Sequence, residues 1–146
     1  MKFIGISLKD FKNKKRPVII TEYCSDGTLE DVILKENLIK TKKIYIFGIA
    51  SGIFYLHSNG IIHRDLKPSN ILINEIFFTK ISDFGISKQS PPNSTGMAFK
   101  ESRIIGTPLY IAPETWGKFQ YSEASDVYSF SLILYEIITG EKPFNN

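Results

Sequence analysis

Two short apolar runs, Ile71 to Ile73 and Phe78 to Ile81, stand between the charged stretch His63-Arg64-Asp65-Leu66-Lys67-Pro68-Ser69-Asn70 and the triplet Asp83-Phe84-Gly85. Each run is too short for a stable helix, and the connection between them opens with Asn74-Glu75, so the pair reads as a small hairpin. Asp65 and Asp83 therefore fall where strand gives way to loop, one at each end of the same hairpin. A chain built this way must fold so that two acidic loops bracket one β-ribbon.

Helical signals surround that ribbon. From Thr41 the apolar positions Ile46, Ile49, Ala50, Ile53 and Leu56 recur at helical spacing, and Gly60 is placed to end the helix in a left-handed cap. Thr28, with Asp31 three residues on, predicts the N-cap of a short helix running through Leu34, after the turn Ser25-Asp26-Gly27. Ser122 opens a third helix that stops at Gly140, with Pro143 beyond it. Around this helix Val127, Phe130, Leu132, Ile133, Leu134, Ile137 and Ile138 leave little polar face, which predicts a helix enclosed on most sides. At the start, Phe3 to Leu8 and Val18 to Tyr23 read as two strands joined by a charged turn. Lys12, Lys14, Lys15 and Arg16 in that turn need no role beyond solvating a hairpin tip. Residues 86 to 106 carry no period and read as a mobile loop.

Composition narrows the classes. With 146 residues the chain can form one domain or part of one, and a net charge of +3 is too small to imply a nucleic-acid partner. The single cysteine, Cys24, excludes an internal disulfide and fits a reducing compartment, so a cytoplasmic protein is expected. Phe3 to Leu8 is too short for a secretory core. Val127 to Ile138 contains Ser129, Ser131 and Glu136 and falls short of the roughly 20 apolar residues that span a bilayer. The triplet Asn93-Ser94-Thr95 matches a glycosylation acceptor but recurs by chance and carries no weight here.

Taken in order, His63 to Asn70, Asp83-Phe84-Gly85 and Ala112-Pro113-Glu114 resemble the catalytic loop, metal-binding loop and activation-segment end of a protein kinase. The expected fold is then α+β: a mostly helical large lobe over residues 25–146, reaching its central helix, with residues 1–24 as small-lobe strands and hinge. The resemblance implies a serine/threonine kinase that moves the γ-phosphoryl group of ATP to protein hydroxyls with Mg²⁺. Asp65 would orient or accept the proton of the attacking hydroxyl, and Lys67 would neutralise the transferring group and touch the nucleotide. Asn70 and Asp83 would hold the metal; both offer the hard oxygen that Mg²⁺ prefers. In the hinge, Thr21 occupies the gatekeeper position, the backbone of Glu22 and Cys24 would reach the adenine edge, and Leu72 would lie beneath the ring.

Further residues carry regulatory or structural roles by the same resemblance. Arg64 stands where many kinases pair a phosphate of the activation loop, with Ser90, Ser94, Thr95 and Ser102 as candidate acceptors. Thr107 resembles the threonine that bonds near the catalytic aspartate, and together with Lys67 it argues against a tyrosine kinase. Phe84 would pack inward beside His63, itself a packed structural histidine. Asp126-Val127-Tyr128-Ser129-Phe130 resembles the helix whose aspartate anchors the catalytic loop, in the form common to tyrosine-kinase-like serine/threonine kinases, with Ser131 where glycine is usual.

Within these 146 residues there is no glycine-rich phosphate loop, no upstream Lys–Glu pair and no later arginine to meet Glu114. A domain truncated at both ends is therefore expected. The alternative function is a catalytically inactive fragment or pseudokinase-like binding module. An uncovered apolar helix near the end would invite chaperone binding or self-association.

Overall fold

The computed structural model describes residues 1–35, 41–74, 78–89 and 98–144. Strands β1 (Phe3–Ser7) and β2 (Val18–Thr21) form the expected antiparallel hairpin. Its turn is shaped by Asp10, whose carboxylate accepts the main-chain N–H groups of Lys12 and Lys14, both at 2.9 Å. Helix α1 (Leu29–Lys35) starts at a reciprocal cap: Asp31 N–H donates to Thr28 Oγ1 at 3.2 Å and Thr28 N–H donates to Asp31 Oδ2 at 3.0 Å.

Helix α2 (Lys42–Ser58) ends as the sequence predicts, with Gly60 at φ +68° and its N–H donating to His57 O. Its buried stripe is Tyr45, Ile49, Ile53 and Leu56. It delivers the chain to β3 (Ile61–Ile62) and the His63–Asn70 stretch, after which β4 (Ile71–Ile73) pairs antiparallel with β5 (Thr79–Ile81). Phe78 lies outside β5, exposed. Within the 86–106 stretch, residues 90–97 lie outside the described residues, and the described parts carry two short strands in place of the expected loop: β6 (Lys88–Gln89) pairs with β3, and β7 (Phe99–Lys100) with β8 (Gln120–Tyr121). Strands of two residues are too short to show a period, and their partners lie far away in sequence, so no local signal marks them. Helix α3 (Pro113–Lys118) precedes β8, and α4 (Glu123–Thr139) follows it, bounded as expected by Ser122 and Gly140.

The core gathers Leu29, Ile49, Leu66, Ile71, Ile73, Ile133 and Ile137, all fully enclosed where α2 packs on α4 and β5. Each such side chain contributes about 1.5–3 kcal/mol relative to exposure. Helix α4 differs from the sequence expectation. Its inward face carries Ser125, Asp126, Ser129 and Glu136 beside Ile133 and Ile137, while Val127, Tyr135 and Ile138 are exposed. Hydropathy alone misses this because each inward polar group meets a specific partner. Glu136 accepts the Tyr110 hydroxyl at 2.6 Å, and Ser129 Oγ donates to Tyr110 O at 2.8 Å. Burial, then the adjacent Glu136 carboxylate, push the Tyr110 phenol far above its ordinary range. Among the described residues, no helix is long and apolar enough to cross a membrane.

Candidate active site

The stretch from His63 to Asn70 is shaped mainly by polar anchors. Asp126, on α4 and 1 % exposed, accepts His63 N–H at 2.8 Å and Arg64 N–H at 2.9 Å, one on each carboxylate oxygen. His57 Nε2 lies 3.0 Å from the same carboxylate. These contacts hold Arg64 at φ +70°, a left-handed conformation that few side-chain-bearing residues adopt. His63 is fully buried, as expected for a structural histidine. Its Nε2 bonds Ser82 O at 2.9 Å, while its Nδ1 accepts Asp65 N–H at 3.3 Å.

That shape presents Asp65. Its Oδ1 accepts Thr107 N–H at 2.9 Å and Thr107 Oγ1–H at 2.7 Å; its Oδ2 lies 3.0 Å from Lys67 Nζ and 3.1 Å from Asn70 Nδ2. Lys67 Nζ also donates to Thr107 Oγ1 at 2.8 Å. Asp65, Lys67, Asn70 and Thr107 thus form one bonded cluster, with Asp65 and Lys67 retaining 12 % and 24 % of their side-chain surface. Gly106 makes the approach of Thr107 feasible: its φ is +109°, and a Cβ there would sit 2.7 Å from Arg64 O.

The second acidic loop is tied to the first through Asn70, whose carbonyl accepts both N–H and Oγ–H of Ser82 at 2.9 Å. Next along the chain, Asp83 is exposed at φ +60°, with its Oδ1 accepting Gly85 N–H at 3.3 Å. Asn70 donates through Nδ2 to Asp65 O at 2.9 Å as well as to Asp65 Oδ2, which leaves its amide oxygen for another partner. A hard-oxygen pair on two bonded loops fits Mg²⁺. Phe84 meets His63 edge-on with ring centroids 5.0 Å apart, yet it stays 40 % exposed, so it packs against His63 without being drawn inside.

Asp26, Gly27 and Thr28, just past the expected hinge, gather against the β4–β5 hairpin. Ile73 N–H donates to Gly27 O at 2.9 Å, Asp26 N–H donates to Ile73 O at 3.3 Å, and Thr28 bridges to half-buried Leu72. Across the ribbon, Lys80 pairs with Glu22 at 2.5 Å. The hydrogen bond from Lys80, then that from the main chain of Lys2, hold the Glu22 carboxyl below its usual range. Thr21 is half-buried with its hydroxyl on Glu22 O at 3.3 Å, and Cys24 is buried.

The family model described as protein kinase domain matches residues 3–146. The chain belongs to that family. Its kinase relatives include a serine/threonine-protein kinase/receptor of Acanthamoeba polyphaga mimivirus, 40 % identical over 97 % of this chain and 8 % of the relative. Spermatocyte protein spe-8 of Caenorhabditis briggsae is 41 % identical over the whole chain and 27 % of its own length. Mitogen-activated protein kinase kinase kinase 13 of Pongo abelii is 42 % identical over 88 % of the chain and 13 % of its own length. The chain therefore spans about a quarter or less of these relatives, and what it matches is part of a serine/threonine kinase catalytic domain.

Around this cluster, Glu101, Lys88 and Lys142 carry no sequence signal of their own. Arg64 Nη1 bonds Glu101 at 2.6 Å, and Lys88 reaches the same carboxylate at 2.6 Å. The hydrogen bond from Lys88, then that from Arg64, hold Glu101 below the usual carboxylate range. Of the candidate phosphate acceptors, Ser102 is exposed, whereas Ser90, Ser94 and Thr95 lie outside the described residues. Glu114 is exposed and makes no ion pair among the described residues. Lys142 ties Glu30 on α1 (2.7 Å) to Glu136 on α4 (3.5 Å). Burial opposes its charge, but the two carboxylates outweigh that and raise its pKa.

Proposed function

We propose that this chain is the catalytic portion of a cytoplasmic serine/threonine protein kinase that uses ATP and Mg²⁺ to phosphorylate protein hydroxyls. The observation that carries the reading is the Asp65 carboxylate, held by Thr107, Lys67 and Asn70 yet still partly open to solvent. A carboxylate so fixed can orient an incoming serine or threonine hydroxyl and accept its proton as the oxygen bonds to the γ-phosphorus and the bond to the β-phosphate oxygen breaks. Lys67, close to both Asp65 and Thr107, supplies a cation where negative charge gathers on the phosphoryl oxygens. Asn70 and Asp83 would hold Mg²⁺, which neutralises phosphate charge when bound. Thr21, Glu22, Cys24 and Leu72 would form the adenine wall, and the exposed Val127, Tyr135 and Ile138 of α4 would be covered by further protein, a chaperone or a second copy.

Incubating the purified protein with γ-labelled ATP, Mg²⁺ and a basic protein rich in serine and threonine tests the reading. Asp65→Ala should lower labelling by about 10² to 10⁴. Equal labelling by wild type and variant removes the catalytic role and leaves a binding module.

A further inference from the structure

Arg64 precedes Asp65, and nearly all of its side chain is enclosed, 4 % exposed. Its Nε donates to Ile86 O at 2.6 Å, Nη2 reaches the same carbonyl, Nη1 bonds Glu101, and the guanidinium stacks 5.3 Å from the Tyr121 ring centre. Glu101 is the one anion that reaches this cation among the described residues. A guanidinium removed from water needs a counter-charge, because an unpaired enclosed charge is far costlier than a paired one.

Glu101 is itself fixed from several directions. Its N–H donates to Phe119 O at 2.9 Å, next to the β7–β8 pair, and its carboxylate also takes Lys88, whose ammonium stands 5.4 Å from the Phe99 ring centre. The carboxylate therefore joins three separate segments: the loop carrying Asp65, the strand following Asp83-Phe84-Gly85, and the strand leading to Thr107. Arg64 is pinned at its main-chain N–H by Asp126, and its carbonyl lies under Gly106. Only its side chain depends on Glu101.

We infer that Glu101 is a positioning residue for phosphoryl transfer: a built-in anion that locks Arg64, Lys88 and the strand leading to Thr107 together, so that Thr107 stays on Asp65 without an added phosphate. This rests on the reading of Asp65 as the residue that orients the hydroxyl. One carboxylate faces two cations here, so charge at this position is what the site requires. Glutamine would keep the size and lose the function; aspartate would keep the charge on a shorter arm.

The test compares wild type, Glu101→Ala, Glu101→Gln and Glu101→Asp, each treated with phosphatase. One readout is labelled-phosphate transfer; the other, independent of catalysis, is the rate of tryptic cleavage after the exposed Arg103 in the folded protein, checked by circular dichroism. Phosphatase-treated wild type should stay active and resist cleavage. Glu101→Ala and Glu101→Gln should lose about ten- to a hundredfold in kcat with KM for ATP little changed, and be cut faster, while Glu101→Asp recovers part of both. Glutamine matching wild type in both readouts, or wild type losing protease resistance on phosphatase treatment, would overturn the inference. If no variant, wild type included, transfers phosphate, the proposed function fails, and the cleavage rates still decide the role of Glu101 as a lock.

Discussion

The β1–β2 ribbon and the Asp65 cluster are built on opposite principles. The ribbon is rich in large apolar side chains, yet Phe3, Ile4, Ile6, Leu8 and Ile19 are all more than half exposed, and main-chain pairing holds it together. Around Asp65 the reverse holds: His63, Arg64, Asn70, Ser82 and Asp126 are polar or charged and all buried. Enclosing polar groups is favourable only where every donor finds an acceptor. The site therefore owes its shape to a few directional contacts, whereas the ribbon tolerates much looser packing.

Removing the central acceptor should break that contrast most sharply. Asp126→Ala strips His63 N–H and Arg64 N–H of their partner inside the protein, and is expected to cost about 3–5 kcal/mol of unfolding free energy. Urea titration followed by tryptophan fluorescence measures this, and a loss under about 1 kcal/mol would mean the loop does not depend on α4. Next in size is Gly106→Ala, which forces a Cβ toward Arg64 O at a positive φ. It should cost about 1–3 kcal/mol and speed hydrogen exchange at the Thr107 amide, the bond to Asp65. Unchanged exchange would show that Thr107 is not held by its neighbour. The smallest effect belongs to the ribbon. Ile19→Ser, at a side chain already 73 % exposed, should stay within about 0.5 kcal/mol of wild type. A larger penalty there would erase the distinction between the two regions.

The same contrast explains what the sequence disclosed. Helix ends were legible because Thr28, Gly60, Ser122 and Gly140 act within one turn of themselves. That Asp65, Asn70, Asp83, Thr107 and Asp126 belong together was legible only through resemblance to a family, and the roles that resemblance implies for them remain proposals, since nothing local ties Asp126 to a loop some sixty residues earlier. Glu101, Lys80 and Lys142 gave no warning at all. Each is an ordinary charged residue whose partner is chosen by the fold, and composition cannot distinguish such a residue from one that merely faces water. Polar inward positions on α4 were hidden for the same reason, because hydropathy counts apolar faces and ignores matched donors and acceptors.

The bond between His63 and Asp126 links positions 63 residues apart. On a ribosome adding roughly 5–20 residues per second, the first of these emerges roughly 3–13 s before the second. Through that interval the nascent chain carries Asp65 and Asp83 without the acceptor that bends their neighbourhood into shape. Synthesis halted before α4 would thus release a polypeptide with every letter of its chemistry and none of its geometry.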